Sequence, residues 1–355
     1  MLSCSQVELK FFNAAIGAAA ANSQFVPQSG SWCIPQRTVA TSPNFQMLHV
    51  AQTAASFPVL LNESLAWDIH GGYAKPMIKN NKKNDLSFSG RLTPRKMRTM
   101  TPSNQVKTLT VSSDTFFHRK LADELAQWPR IKEVLLWGTV SKAALQRLLS
   151  LEEIHEIYVM QLHRHGNLYD IDQSSSLRVF RGGRLSARDL RALAQLQNLE
   201  TLSAQNSSVN QQVIEMIVKS SSLKNLDLEA TNLDDVMAKE LAKSSKITQL
   251  DVGATRLGPS GLQEICKMTQ LRELDIWALD LDEHDLDCLE ALPNLEYLSV
   301  GGYDSQERLK SKNVLAQLAK LPSLRRVWLD GIPVSESEAN ELRARYENAQ
   351  ITFAV

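Results

Sequence analysis

Leu223-Lys-Asn-Leu226-Asp-Leu228, Ile247-Thr-Gln-Leu250-Asp-Val252 and Leu271-Arg-Glu-Leu274-Asp-Ile276 are copies of one six-residue pattern, each 24 residues from the last. Apolar side chains fall at the first, fourth and sixth places. The closing alternation has period 2, so each copy reads as a short strand with its leucines on one face. The pattern recurs at Leu199, Leu202, Ala204 and at Leu295, Leu298, Val300. Looser copies begin at Val106, Ile131, Ile154, Leu177 and Leu324, which makes ten between Val106 and Leu329, at intervals of 25, 23, 23, 22, 24, 24, 24, 24 and 29 residues. A repeat of this length marks a solenoid.

Each interval also holds a helical half with its own apolar stripe, such as Leu257, Leu262, Ile265 and Met268, or Leu281, Leu286 and Leu289. Helix-start signals stand at Ser186-x-x-Asp189, Asp282-x-x-Asp285 and Ser335-x-x-Glu338. One strand–helix unit cannot bury its leucines alone, so stacked neighbours must share a core. Ala339, Leu342 and Tyr346 mark a last helix, and Ile351-Thr-Phe353 reads as a closing strand.

These residues resemble the leucine-rich repeat family, nearest its ribonuclease-inhibitor-like and bacterial variants with a helix in each repeat. The resemblance spans residues 106–355. It implies an α/β horseshoe: a parallel sheet lines the concave side and helices line the convex side. The family usually has Asn or Cys three residues after the last strand leucine. Ser207, Thr231, Thr255, Leu279 and Tyr303 stand there instead. The hydroxyls can still bond the turn backbone; Leu279 and Tyr303 cannot do so in the same way. The longest interval implies an insertion between Tyr303 and Lys312.

Zero formal net charge conceals an asymmetry: residues 1–105 hold ten Lys/Arg against four Asp/Glu, and the rest holds 29 against 35. Seven of the twelve prolines also precede residue 106. This first region is expected to be an irregular, basic, disordered leader and linker, because few apolar side chains offset the entropy of ordering it. A patch from Phe57 to Trp67 could form a small helix. The apolar run Phe11 to Ala21 has some features of a secretion signal; a disordered tail or an over-extended start are the alternatives. A cytoplasmic protein is expected, with secretion if that run is a signal. Of four cysteines, Cys4 and Cys33 lack metal-type spacing, and Cys266 and Cys288 are read as small hydrophobes in the helical halves of two repeats, which is compatible with a reduced compartment.

On a strand of this pattern the residues between the leucines point to the concave face. One row is expected to run Thr110, Leu135, Tyr158, Arg181, Ser203, Asp227, Asp251, Asp275, Ser299, Trp328, with neighbours ~4.8 Å apart. A second runs Ser112, Trp137, Met160, Gly183, Gln205, Glu229, Gly253, Trp277, Gly301, Asp330. Asp227, Asp251 and Asp275 would form a carboxylate ladder beside Glu229, in which each charge raises its neighbour's pKa. The ladder is either a solvated strand surface or the dock for a basic segment, including the chain's own linker 75–98. A cation would relieve the same repulsion, but a dedicated metal site is disfavoured because no His or second shell is evident. Trp137 and Tyr158 at one end, and Trp277, Tyr297 and Trp328 at the other, are candidate binding anchors.

Arg178, Arg181, Arg184, Arg188 and Arg191, with Arg164 nearby, form a basic stretch within a net-acidic region, which argues against general nucleic-acid binding. His155, His163, His165, Asp170 and Asp172 match no metal spacing. Arg181-Gly-Gly-Arg184 and Gly301-Gly302 lack the following Gly-Lys-Ser/Thr of a phosphate loop, and no Gly-x-Ser-x-Gly occurs. No catalytic residue, metal or cofactor is expected. The sequence points to a non-enzymatic protein-interaction module that holds its partner on the concave face. The alternative is a substrate-recruiting receptor or secreted effector acting on a ubiquitin or host pathway.

Overall fold

The computed structural model describes residues 84–354, apart from 101–104, 129, 164, 166–167, 169–170, 172–174, 303–308, 310 and 346–349. The signal-like run, the Phe57–Trp67 patch, Cys4, Cys33, Tyr303, Tyr346, Arg164, Asp170 and Asp172 therefore lie outside the described residues.

Twelve strands make one parallel sheet in strict chain order. They are β1 (Asp85–Phe88), β2 (Thr108–Val111), β3 (Glu133–Val140), β4 (Glu156–Leu162), β5 (Val179–Gly182), β6 (Thr201–Ser203), β7 (Asn225–Asp227), β8 (Gln249–Asp251), β9 (Glu273–Asp275), β10 (Tyr297–Gly301), β11 (Arg326–Asp330) and β12 (Gln350–Ala354). Nine helices alternate with them among the described residues: α1 (Pro94–Arg98), α2 (Arg119–Leu125), α3 (Lys142–Leu149), α4 (Ala187–Ala194), α5 (Gln211–Lys219), α6 (Asp235–Leu241), α7 (Pro259–Ile265), α8 (Ser311–Leu318) and α9 (Glu336–Arg345). A 3₁₀ helix at Asp285–Ala291 takes the place of an α-helix between β9 and β10. This is a leucine-rich-repeat solenoid. No helix of the described residues is long and apolar enough to cross a membrane.

The repeat leucines form one continuous core, from Leu109 through Leu226, Leu250 and Leu274 to Leu329. The helix-start signals act as expected. Ser186 and Asp189 form a reciprocal capping box on α4, and Ser335 and Glu338 exchange the same bonds at α9. The turn hydroxyls also do the work of the family's Asn. Ser207 Oγ accepts the Leu185 N–H at 2.8 Å, and Thr255 Oγ1 donates to the Val252 carbonyl at 2.7 Å. Each central turn then passes through a left-handed residue that is not glycine: Asn206, Ala230, Ala254 and Ala278 have φ of 55°, 54°, 51° and 53°. Their N–H groups still donate across to the next repeat, as Ala254 does to the Trp277 carbonyl at 2.7 Å.

The structure corrects two expectations. Residues 84–100 are not linker but the first turn of the solenoid. β1 pairs with β2 from Asp85↔Thr108 to Phe88↔Val111, and Phe88, Leu92 and Met97 are buried in the common core. Thr93 caps α1 with Pro94 at its first position. The many cations conceal this from a composition count, because they stay outside: Arg98 pairs with Glu124, and Lys96 lies over the Phe88 ring. This stretch of the basic segment thus forms the sheet's first edge, whereas the aspartate ladder lies on β7, β8 and β9. Second, Cys266 and Cys288 are joined as a disulfide, with Cα atoms 5.9 Å apart. They are 22 residues apart in sequence, and stacking brings equivalent positions of successive repeats together.

Candidate functional site

Strand pairing builds the expected row. Thr110, Leu135, Tyr158, Arg181, Ser203, Asp227, Asp251, Asp275, Ser299 and Trp328 stand in register, each opposite the next. The expectation of solvent contact fails. Asp227, Asp251, Asp275, Glu229 and Trp277 are all buried, with Asp251 only 1% exposed. They face away from the leucines and are nevertheless closed off from solvent. The ladder is neither a solvated strand surface nor an exposed dock.

Each aspartate has a local structural task. Oδ1 of Asp227, Asp251 and Asp275 accepts the backbone N–H two residues ahead, from Glu229 at 3.0 Å, Gly253 at 2.8 Å and Trp277 at 2.9 Å. The neighbouring Leu228 and Ala230 N–H groups are already used across the sheet, so the carboxylate takes the donor left over. Beyond that task the partners thin out. Asp227 Oδ2 accepts the Ser203 hydroxyl at 2.7 Å, and Glu229 Oε2 accepts Gln205 Nε2 at 2.9 Å. Asp251 Oδ2 and Asp275 Oδ2 are buried without a hydrogen-bond partner among the described residues.

Burial sets the electrostatics of this group. It raises the Asp227 pKa, against the Ser203 hydroxyl and the Glu229 N–H. Burial, and then the charges of Asp227 and Asp275, push Glu229 up to about 10. Burial followed by the charges of Asp275, Asp227 and Glu229 raises Asp251 well above its ordinary 3.8. Asp275 is pushed up to about 7 by burial, although the Trp277 N–H and the nearby Ser299 hydroxyl act the other way. The charge of Arg181 also acts on Asp227 and opposes the rise of its pKa. Arg181 pairs with Glu156, and Arg326 with Glu273 at 3.0 Å.

The C-terminal aromatics are tied into the protein. Trp277 Nε1 donates to Asp330 Oδ2 at 2.6 Å, two strands away. The intervening strand has Gly301 at that level. A Cβ there would collide with the Asp330 carbonyl oxygen, and its φ of +122° suits glycine alone. Arg326 stacks over the Tyr297 ring at 5.2 Å. Tyr297 and Trp328 are half-buried.

The N-terminal aromatics make a different surface. β3 has a bulge: Trp137 and Gly138 together stand opposite Met160 alone, between the pairs Leu136↔Val159 and Thr139↔Gln161. The Trp137 and Tyr158 ring centroids lie 4.8 Å apart, and the Tyr158 hydroxyl reaches Met160 Sδ at 3.2 Å. Gly138 admits the loop beside the bulge, since a Cβ there would collide with the Thr115 carbonyl oxygen. That loop presents Phe116, which sequence reasoning missed. Phe116 packs edge-on against His163 at 5.6 Å, and His163 lies 5.1 Å from His165. Phe116 and Met160 are 47% and 48% exposed. Only its place in a loop outside the repeat pattern hid Phe116; no periodicity marks it.

The arginines do not form one surface. Arg178 and Arg181 lie by β5, Arg184 in the following turn with φ of 58°, and Arg188 and Arg191 on α4.

No family model matches this chain, and no curated protein matches it. Among solved structures it resembles an internalin from Listeria monocytogenes, at 14% sequence identity and a TM-score of 0.41, over 74% of this chain and 90% of that one. Neither value is high enough to carry a function across.

Proposed function

We propose that the chain is a protein-binding module whose contact surface is the aromatic patch at the N-terminal end of the solenoid, built by Phe116, Trp137, Tyr158 and Met160. The observation that carries this reading is exposure. Phe116 and Met160 are two of the three large apolar side chains exposed among the described residues, and they lie beside the tilted Trp137–Tyr158 ring pair. An exposed apolar cluster on a rigid strand scaffold is the usual anchor of a protein interface, with aromatic residues carrying most of the energy. The third exposed residue, Val236, is 71% exposed on α6, on the helical side of the sheet. Glu133 and Glu156 line the same strands and supply a polar rim.

Photo-crosslinking in the native host tests this reading. With the crosslinker at Phe116 or Met160, discrete adducts with a second protein are expected, and they should weaken when Trp137→Ala is added. The same probe at Val236 should give none. Equal adducts from Val236, or none from either patch position, would contradict the assignment.

A further inference from the structure

We infer that Asp227, Glu229 and Asp251 form an internal site for one hard divalent cation, of the calcium, manganese and magnesium class. One oxygen from each lies within 4.8 Å of the other two, a spacing that a calcium ion at roughly 2.3–2.6 Å from each oxygen spans and that a smaller ion reaches with modest closing of the side chains. A second observation is independent of that spacing. Asp251 is 1% exposed, yet its Oδ2 has no hydrogen-bond partner among the described residues. One strand further on, Asp275 Oδ2 is buried in the same condition. A buried polar oxygen with nothing to bond is rare and calls for an occupant.

The chemistry of the donors selects the ligand. All three are carboxylates, with no His or Cys among them, so a hard oxygen-seeking ion fits and a soft one does not. Arg181 pairs with Glu156 and its charge also acts on Asp227. A divalent ion would replace the mutual repulsion of the three with attraction to a shared centre. The outer partners are already placed. The Ser203 hydroxyl holds Asp227, the Gln205 amide holds Glu229, and the Gly253 N–H holds Asp251. Such contacts orient metal-binding side chains and leave their other oxygens for the ion. The sequence alone shows no metal spacing because these ligands come from two successive repeats and only stacking unites them.

The test uses the full chain, stripped with a chelator and titrated with Ca²⁺, Mn²⁺ and Mg²⁺, both in the native state and during refolding from urea. One of these ions should bind at one equivalent per chain. It should raise the thermal midpoint beyond a NaCl control of equal ionic strength. Asp251→Asn keeps the oxygen that caps Gly253 but removes the ligand charge, and should weaken binding at least tenfold while the metal-free variant stays folded. Glu229→Gln provides a second variant with the same expected loss. The site is overturned if none of the three ions shifts the midpoint, or if the shift survives in both variants. A response matched by NaCl would overturn it equally.

Discussion

Asp251 and Asp275 stand opposite each other on neighbouring parallel strands, and each gives one carboxylate oxygen to the N–H two residues ahead of it. Their second oxygens are buried and unpartnered among the described residues. The recurring Asp of the repeat is therefore a backbone-satisfying residue first. It is the coincidence of three on successive strands, with Glu229 beside them, that creates an internal acidic group.

A buried pair elsewhere behaves in the opposite way. Lys142 Nζ lies 2.6 Å from Asp189 Oδ2, and Leu168 N–H donates to Oδ1 at 3.2 Å. Burial pushes the Asp189 pKa up, but the Lys142 ammonium, the Ser186 hydroxyl and the Leu168 N–H outweigh it and hold the group below its ordinary 3.8. Because the folded value is the lower one, this contribution is present above the unfolded value and lost as pH falls through the folded one. Lys142→Met should cost about 3–5 kcal/mol at pH 7, since it leaves a buried carboxylate unpaired. In a urea-unfolding series the gap between wild type and variant should narrow below about pH 4. A gap that widens there would refute the pairing.

The left-handed turns predict a stabilising change. Ala254 holds φ of 51°, a conformation in which Cβ crowds the following carbonyl and which glycine adopts freely. Ala254→Gly should raise the unfolding free energy by about 0.5–1 kcal/mol, the relief of strain exceeding the entropy that glycine adds to the unfolded chain. Calorimetry showing a lower midpoint would contradict this account of the turn.

Gly138 is the opposite case, in which space rather than φ forbids a side chain. A Cβ placed there runs into the Thr115 carbonyl oxygen. Gly138→Ala should therefore displace the Phe116 loop and cost about 1–3 kcal/mol. Any adduct formed through Phe116 should fall with it. Unchanged stability and unchanged crosslinking would mean that the bulge does not position the patch.

The disulfide makes a chemical prediction. Alkylation of the denatured, unreduced chain should leave Cys266 and Cys288 unmodified, and reduction should lower stability by about 3 kcal/mol for a loop of this size. Full alkylation without reductant would restore the pair to two buried thiols.

What is legible in the sequence is what periodicity carries. The leucines place β2 to β11, and the spacing puts Asp227, Asp251 and Asp275 in one row, because register in a solenoid follows from repeat length. Ile351-Thr-Phe353 marks β12 as well. β1 and α1 are hidden, because Leu86, Phe88, Leu92 and Met97 are too few and too unevenly spaced to stand out among cations. Solvent access is hidden for a different reason. Whether Asp251 is wet depends on what covers it in three dimensions, and no period encodes that. Phe116 escapes because a loop residue has no row.

The most direct test of the account is a titration of the partner captured through Phe116 against three chains: wild type, Phe116→Ala/Met160→Ala and Trp328→Ala. The aromatic patch at the N-terminal end predicts at least a tenfold loss of affinity in the double variant, with its fold intact, and little change for Trp328→Ala. Full affinity in the double variant together with a loss at Trp328 would place the contact at the other end of the sheet and contradict the account.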